Sequence, residues 1–325
     1  MPKYPLRALL LILVLLALTA CSRHAEETRP GGSTPQAAVA DGYKLLRDNH
    51  IDGLYRHALP PADYAAMRAR WGQGRDLSQF SPADRAQFAK MMTLLSAPGA
   101  QQLLWVEIKP KLLQARQHYQ ARLPAMLGML RTMADTGVQR STQMTAAEKV
   151  QALTALGVLS NWAEKTDWLN PDKVYQVLGV LTSTAQKMSF HTLNEALSMP
   201  YPEAMRDVGH LWSGVKQALD VYGLSVDTIL DTAQIKVLSD DGNVAVVRTT
   251  FDVLGTPVTR DNTLIKQDGR WYDRDTLLHW RAVLAKPAPS ASVARPASAV
   301  APAGAASTHR AATPAVAASA RARKP

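Results

Sequence analysis

The sequence predicts an α+β fold: a helix-rich domain, then a C-terminal four-stranded antiparallel meander, then a disordered C-terminal tail. Three observations predict it. From about Ala37 to Tyr222 the apolar residues recur at helical spacing. Over residues 232–275 the period drops to two, in short runs split by Asp-Gly and Gly-Thr-Pro turns. From Lys286 onward the chain is almost entirely Ala, Pro, Ser, Val, Thr and basic residues. It lacks the large apolar side chains needed to offset chain entropy.

Residues 1–20 read as a lipoprotein signal peptide. Lys3 and Arg7 precede an apolar run from about Ala8 to Ala17, and Leu18-Thr19-Ala20-Cys21 closes it as a lipobox. The run is shorter than the roughly 20 residues that a membrane-spanning helix needs. Cys21, the sole cysteine, is the expected lipidation site, carrying diacylglycerol and palmitate. Once it is modified, no thiol remains for a disulfide. Ser22 follows it, which favours sorting to the outer membrane, facing the periplasm. Residues 21–36 are polar with Gly and Pro and read as a tether.

The domain is expected over residues 37–285, with a helical insertion at about 82–200. Thr34-Pro35 opens a helix to about Asn49, and Ser81-Pro82-Ala83-Asp84 caps one running toward Leu95. Gln101 to about Asp135 reads as one helix, with Pro110 marking its start and Pro124 a kink. Thr145-Ala-Ala-Glu148 is a capping box for a helix to Trp162. Asn170-Pro171 opens another to about Lys187, and Pro202 to Tyr222 supplies the last.

In the meander, a three-residue loop with Gly242 left-handed would pair Val237 with Ala245 and Ile235 with Val247. A two-residue loop at Gly255-Thr256 would pair Val253 with Val258, Phe251 with Arg260, Thr249 with Asn262, and Val247 with Leu264. One face then collects Ile235, Val237, Ala245, Val247, Phe251, Val253, Val258 and Leu264, and is expected against helices. The other, with Arg248, Thr250, Asp252, Thr259 and Asp261, is expected to meet water.

The net charge of +10 belongs to the ends of the chain. Two positive charges leave with Lys3 and Arg7, and six lie in the last forty residues, which hold no acid. Residues 22–285 therefore carry +2, which gives no support to nucleic-acid binding. No nucleotide-binding motif is present, and no cofactor is expected. Ser213-Gly-Val-Lys216 matches the Ser-x-x-Lys pattern of penicillin-recognising enzymes, but no Lys-Thr-Gly or Ser-x-Asn partner accompanies it. His191 and Glu195 stand four apart without a third ligand. Met126, Met129 and Met133 share a helical face, with His118 roughly in line; soft thioethers can hold Cu(I), yet methionines at this spacing are commoner as core. Nine of the eleven methionines fall between Met91 and Met205, a composition that also suits a groove for lipid or a partner helix. No catalytic or metal residue is assigned.

The leading helix, the connector Asp48-Asn-His-Ile-Asp-Gly53 and the closing hairpin Leu264 to Asp273 resemble the nuclear transport factor 2-like cone. That resemblance covers residues 35–70 and 203–282 and implies a curved sheet wrapped around helices. About 120 mostly helical residues separate the two parts, more than that family's core contains. In such a cone the inner sheet face lines a cavity, so Phe251, Arg260, Asn262 and Thr249 become its candidate residues, with Arg260 an anchor for an anionic group. His210 and Asp252 are the nearest acid–base pair, but Asp252 falls on the other face.

The resulting expectation is a non-enzymatic cell-envelope lipoprotein. It would bind a protein partner or small ligand, while its basic tail contacts peptidoglycan or anionic headgroups. A cone-fold enzyme or small-molecule carrier is the alternative.

Overall fold

The structure, a computed structural model, describes residues 29–286 apart from Gln143. Cys21, the signal segment and most of the basic tail lie outside the described residues. The fold is helix-rich with a C-terminal four-stranded antiparallel sheet in the order β1-β2-β3-β4.

Three helices open the domain: α1 (Pro35–Arg47), α2 (Ile51–Ala58) and α3 (Pro61–Ala69). A 3₁₀ turn at Leu77–Gln79 leads into α4 (Pro82–Ser96), α5 (Ala100–Tyr119), α6 (Leu123–Arg140), α7 (Ala146–Lys165) and α8 (Pro171–Ala185). Then come α9 (Leu193–Ser198), α10 (Tyr201–Val221) and α11 (Val226–Asp231). The sheet follows as β1 (Gln234–Asp240), β2 (Val244–Val253), β3 (Thr256–Gln267) and β4 (Arg270–Asp273), and α12 (Arg274–Ala285) is the last element of the described residues.

Local chemistry sets most of the helix starts. Thr34 Oγ1 accepts the Ala37 N–H ahead of Pro35. Ser81 with Asp84 and Thr145 with Glu148 form capping boxes, and Asn170 Oδ1 accepts two amide N–H groups at the start of α8. The capping bonds hold the Asp84 and Glu148 carboxyls below the usual carboxylate range. The single helix expected over 101–135 is two. Pro110 lies inside α5, costing that helix one backbone bond, and Pro124 sits in the first turn of α6, where its missing N–H has no helical partner to lose.

Both hairpin registers differ from expectation by two residues. Val237 pairs with Val247 and Ile235 with Thr249, and an irregularity between Val237 and Ser239 absorbs one residue. Phe251 pairs with Val258, Thr249 with Arg260, Val247 with Asn262 and Ala245 with Leu264. The turn is Leu254-Gly255, both at positive φ, and not Gly255-Thr256. A slip of two returns each side chain to the same face, so the apolar face survives the correction.

That face packs on α1: Val39, Ala245, Val247, Leu264 and Trp271 form one buried cluster. The opposite face is not uniformly wet. Arg248 and Asp261 pair across it at 2.7 Å, but Tyr272 and Ile265 pack into the largest core with Leu59, Tyr64, Met67, Tyr201 and the fully buried Leu277. The part of β3 beyond the reach of β4 is flanked by α7, where Gln151 Oε1 accepts the Asp261 N–H at 3.2 Å. Covering a strand edge in this way satisfies a donor that would otherwise template another chain.

The expected tether ends earlier than residue 36. Gly32 forms an antiparallel bridge with Trp271, each N–H donating to the other's carbonyl at 2.9 Å. Gly31 N–H donates to His57 O at 2.8 Å, and the Arg270 guanidinium donates to the carbonyls of Pro30 and Gly31. Residues 30–34 are thus part of the domain.

Candidate functional site

Between α1, α2 and the inner face of β3–β4 lies a cavity of about 210 Å³. Its apolar walls are Val39, Leu46, Leu54, Leu264 and Trp271; its polar groups are Tyr43, His57, Arg260, Asn262 and Asp273. Arg260 and Asn262 face inward because they stand two apart on β3, in line with Leu264.

Each polar group except Arg260 has a defined tie. The His57 ring lies between two carbonyls, with Nε2 2.8 Å from Ala38 O and Nδ1 3.4 Å from Arg29 O. Asp273 caps α12: its Oδ1 accepts the Thr276 N–H at 2.8 Å, while Oδ2 accepts from Asn262 Nδ2 at 2.9 Å. The Tyr43 hydroxyl donates to Thr249 Oγ1 at 3.4 Å. Two groups have unused capacity. Asn262 Oδ1 is buried without a hydrogen-bond partner, and among the described residues the exposed Arg260 guanidinium has neither an ion pair nor a hydrogen bond. Burial pushes the Tyr272 phenol above its ordinary range, so it stays neutral at ordinary pH.

The four residues expected at this cavity separate into two pairs. Arg260 and Asn262 line it. Thr249, fully buried, and Phe251, edge-on to Tyr43 at 5.2 Å between ring centroids, lie behind the Tyr43 ring. Tyr43, His57 and Asp273 went unanticipated. Asp273 carried a signal, since an Asp before a run such as Arg274 to Ala285 marks a helix start; His57 carried none.

The other motifs resolve into structural roles. Lys216 is buried, its ammonium 2.5 Å from Asp227 Oδ1 and 2.6 Å from Arg47 O, so it ties α10 to α1 and α11. Ser213 Oγ instead accepts from Gln217. His191 precedes α9 instead of sharing a helix face with Glu195, whose carboxylate accepts the His191 and Thr192 N–H groups as a cap. His118 sits near the end of α5, not on α6 with the three methionines. Asp252 is exposed and accepts the Gly255 N–H in the turn, while His210 lines a separate open cavity of about 520 Å³. A third, shallower cavity of about 800 Å³ is walled by Arg131, Trp162, Lys165, Lys173 and Tyr222. Burial, then the nearby Asp167 charge, raises the Tyr222 pKa there.

No protein family, no curated protein and no solved structure matches this chain.

Proposed function

We propose that the chain is a non-enzymatic binding protein of the cell envelope, held to a membrane through lipidated Cys21, whose cavity takes a small ligand with one anionic group. The observation that carries this reading is the Arg260 guanidinium at the cavity, unpartnered among the described residues and two residues from the orphan acceptor Asn262 Oδ1. An unpaired cation beside an apolar pocket favours a carboxylate on a short apolar body, with the acid on Arg260 and a donor group offered to Asn262. At about 210 Å³ the space lies below the roughly 300–1,000 Å³ of drug-sized sites, which restricts the ligand to a small one.

The packing of α1 across the inner sheet face supports the cone-like, small-molecule-carrier form of this reading. The tail supplies the other part of the proposal: its six cations and no acid suit salt-sensitive contact with anionic envelope polymers or headgroups.

Calorimetric titration with short straight-chain monocarboxylates and their 3-hydroxy derivatives tests the cavity. Arg260→Ala is expected to weaken binding by about 10- to 100-fold, the scale of one lost charge-assisted hydrogen bond. Because Arg260 is exposed and unpartnered, the thermal midpoint should not move. Equal affinity in the variant, or no binding by any of these probes, would remove the anionic-ligand reading.

A further inference from the structure

No residue of α6 is buried. The helix packs on α7 and on no other element to a comparable extent. Gly128, Arg131 and Asp135 mark the packed side: Gly128 faces the Glu164 carboxylate, Arg131 lies over Gly157, and Arg131 pairs with Asp135 at 3.7 Å. At 100° per residue, Met126, Met129, Leu130 and Met133 fall within an arc of about 100° on the opposite side. Their exposures are 55%, 69%, 60% and 63%. This is an apolar ridge that stays largely exposed among the described residues.

The charges along the ridge are ordered. Arg122, just before the helix, and Arg140, its last residue, fall within the same arc, one at each end. They stand about 27 Å apart along the axis at 1.5 Å per residue. Asp135, the only acid in α6, is on the packed side. Residues 100–165 as a whole carry eight Lys and Arg against four Asp and Glu.

We infer that α6 docks on the surface of an anionic lipid bilayer, with the methionine ridge in the headgroup–acyl boundary and Arg122 and Arg140 on lipid phosphates. Three features favour a bilayer over a protein groove. The element is a helix packed chiefly on one neighbour, α7, among the described residues. Its methionines are unbranched and adapt to a fluid phase. Its basic ends and acid-free outer face match an anionic surface. Among the described residues no helix is long and apolar enough to cross a membrane, so α6 lies on the surface. The inference does not depend on the ligand cavity or on acylation of Cys21.

The test uses residues 22–325, which retain every described residue and contain no cysteine. Leu130→Cys, or Met126→Cys should the first fold poorly, then carries a single environment-sensitive fluorophore on the ridge. With vesicles of phosphatidylglycerol and phosphatidylethanolamine the label should shift to the blue, and with phosphatidylcholine alone it should not. Met129→Glu/Met133→Glu should keep the wild-type melting curve while losing at least about tenfold in partition, since each removes apolar burial. Three results would overturn the inference. Sedimentation with anionic vesicles without a blue shift would assign binding to the tail or another surface. A shift that grows with protein concentration in the absence of lipid would assign the ridge to a second copy of the chain. A label that responds to neither leaves α6 without a bilayer role.

Discussion

Gly32→Ala is expected to unseat the N-terminal segment from β4 and to lower stability by about 2–3 kcal/mol. A Cβ at position 32 would stand 2.1 Å from Ala38 N and 2.4 Å from Ala38 Cα. These are backbone atoms of α1, so no side-chain rotation relieves the overlap. The change threatens the paired bonds of Gly32 with Trp271, the Gly31 bond to His57 and the two bonds from Arg270. Ala38, His57 and Trp271 also line the cavity, so the same substitution opens its wall. Urea denaturation reads the stability, and hydrogen exchange at Gly32 and Trp271 reads the undocking. An unchanged midpoint with full protection at both amides would show that the backbone of α1 accommodates the added methyl group and the segment stays docked.

Leu277→Ala is the second large effect. Leu277 has no solvent exposure and joins α12 to the core that also holds Leu59, Tyr64, Tyr201 and Tyr272. Removing three carbons there loses their transfer free energy and leaves a cavity, together about 2–5 kcal/mol. The expected signature is a lower urea midpoint at constant m-value. A loss below about 1 kcal/mol would mean that the site collapses around alanine. Because Asp273 both starts α12 and holds Asn262, loosening this helix should also weaken binding at the cavity, a coupling that the exposed Arg260 does not share.

Which faces are apolar was legible in the sequence; which residues sit opposite one another was not. The alternation in β2 and β3 identified the buried set from Ala245 to Leu264 because a period of two leaves little freedom. The register failed at Leu254. That residue takes φ +55° beside Gly255 at +81°, in a turn where Asn, Asp or Gly is the usual choice. A leucine there reads as one more strand residue. Asp268-Gly269 builds the same kind of turn, at φ +52° and +76°, from the favoured pair, and that hairpin was readable. Pro110 misled for a related reason: it signals a boundary, yet α5 continues through it. In the cavity, Arg260 and Asn262 were visible as polar interruptions of an apolar face. His57 was not, because it reaches the cavity from α2, where the sequence had suggested only a connector over Asp48–Gly53 and no helix, and its partners are backbone carbonyls.

The methionines divide along a line that composition does not draw. Met92, Met188, Met199 and Met205 are buried core residues, whereas Met126, Met129 and Met133 stand out in solvent. Spacing alone is the same for filler and for ridge; only the neighbour on the other side of the helix separates them.

The bridge from Gly32 to Trp271 also fixes when the fold can be completed. Its supporting bonds from Arg270 to Pro30 and Gly31 join positions 240 and 239 residues apart. Contacts this distant in sequence close late, because the intervening chain must first give up its freedom. Hairpins such as α6–α7 are local and can form as soon as their residues are released. A chain emerging N-terminus first therefore carries its local helical hairpins while the segment around Gly32 still waits for β4. Truncation anywhere before Arg270 should leave that segment with only its His57 contacts, in a molecule whose earlier helices can already form.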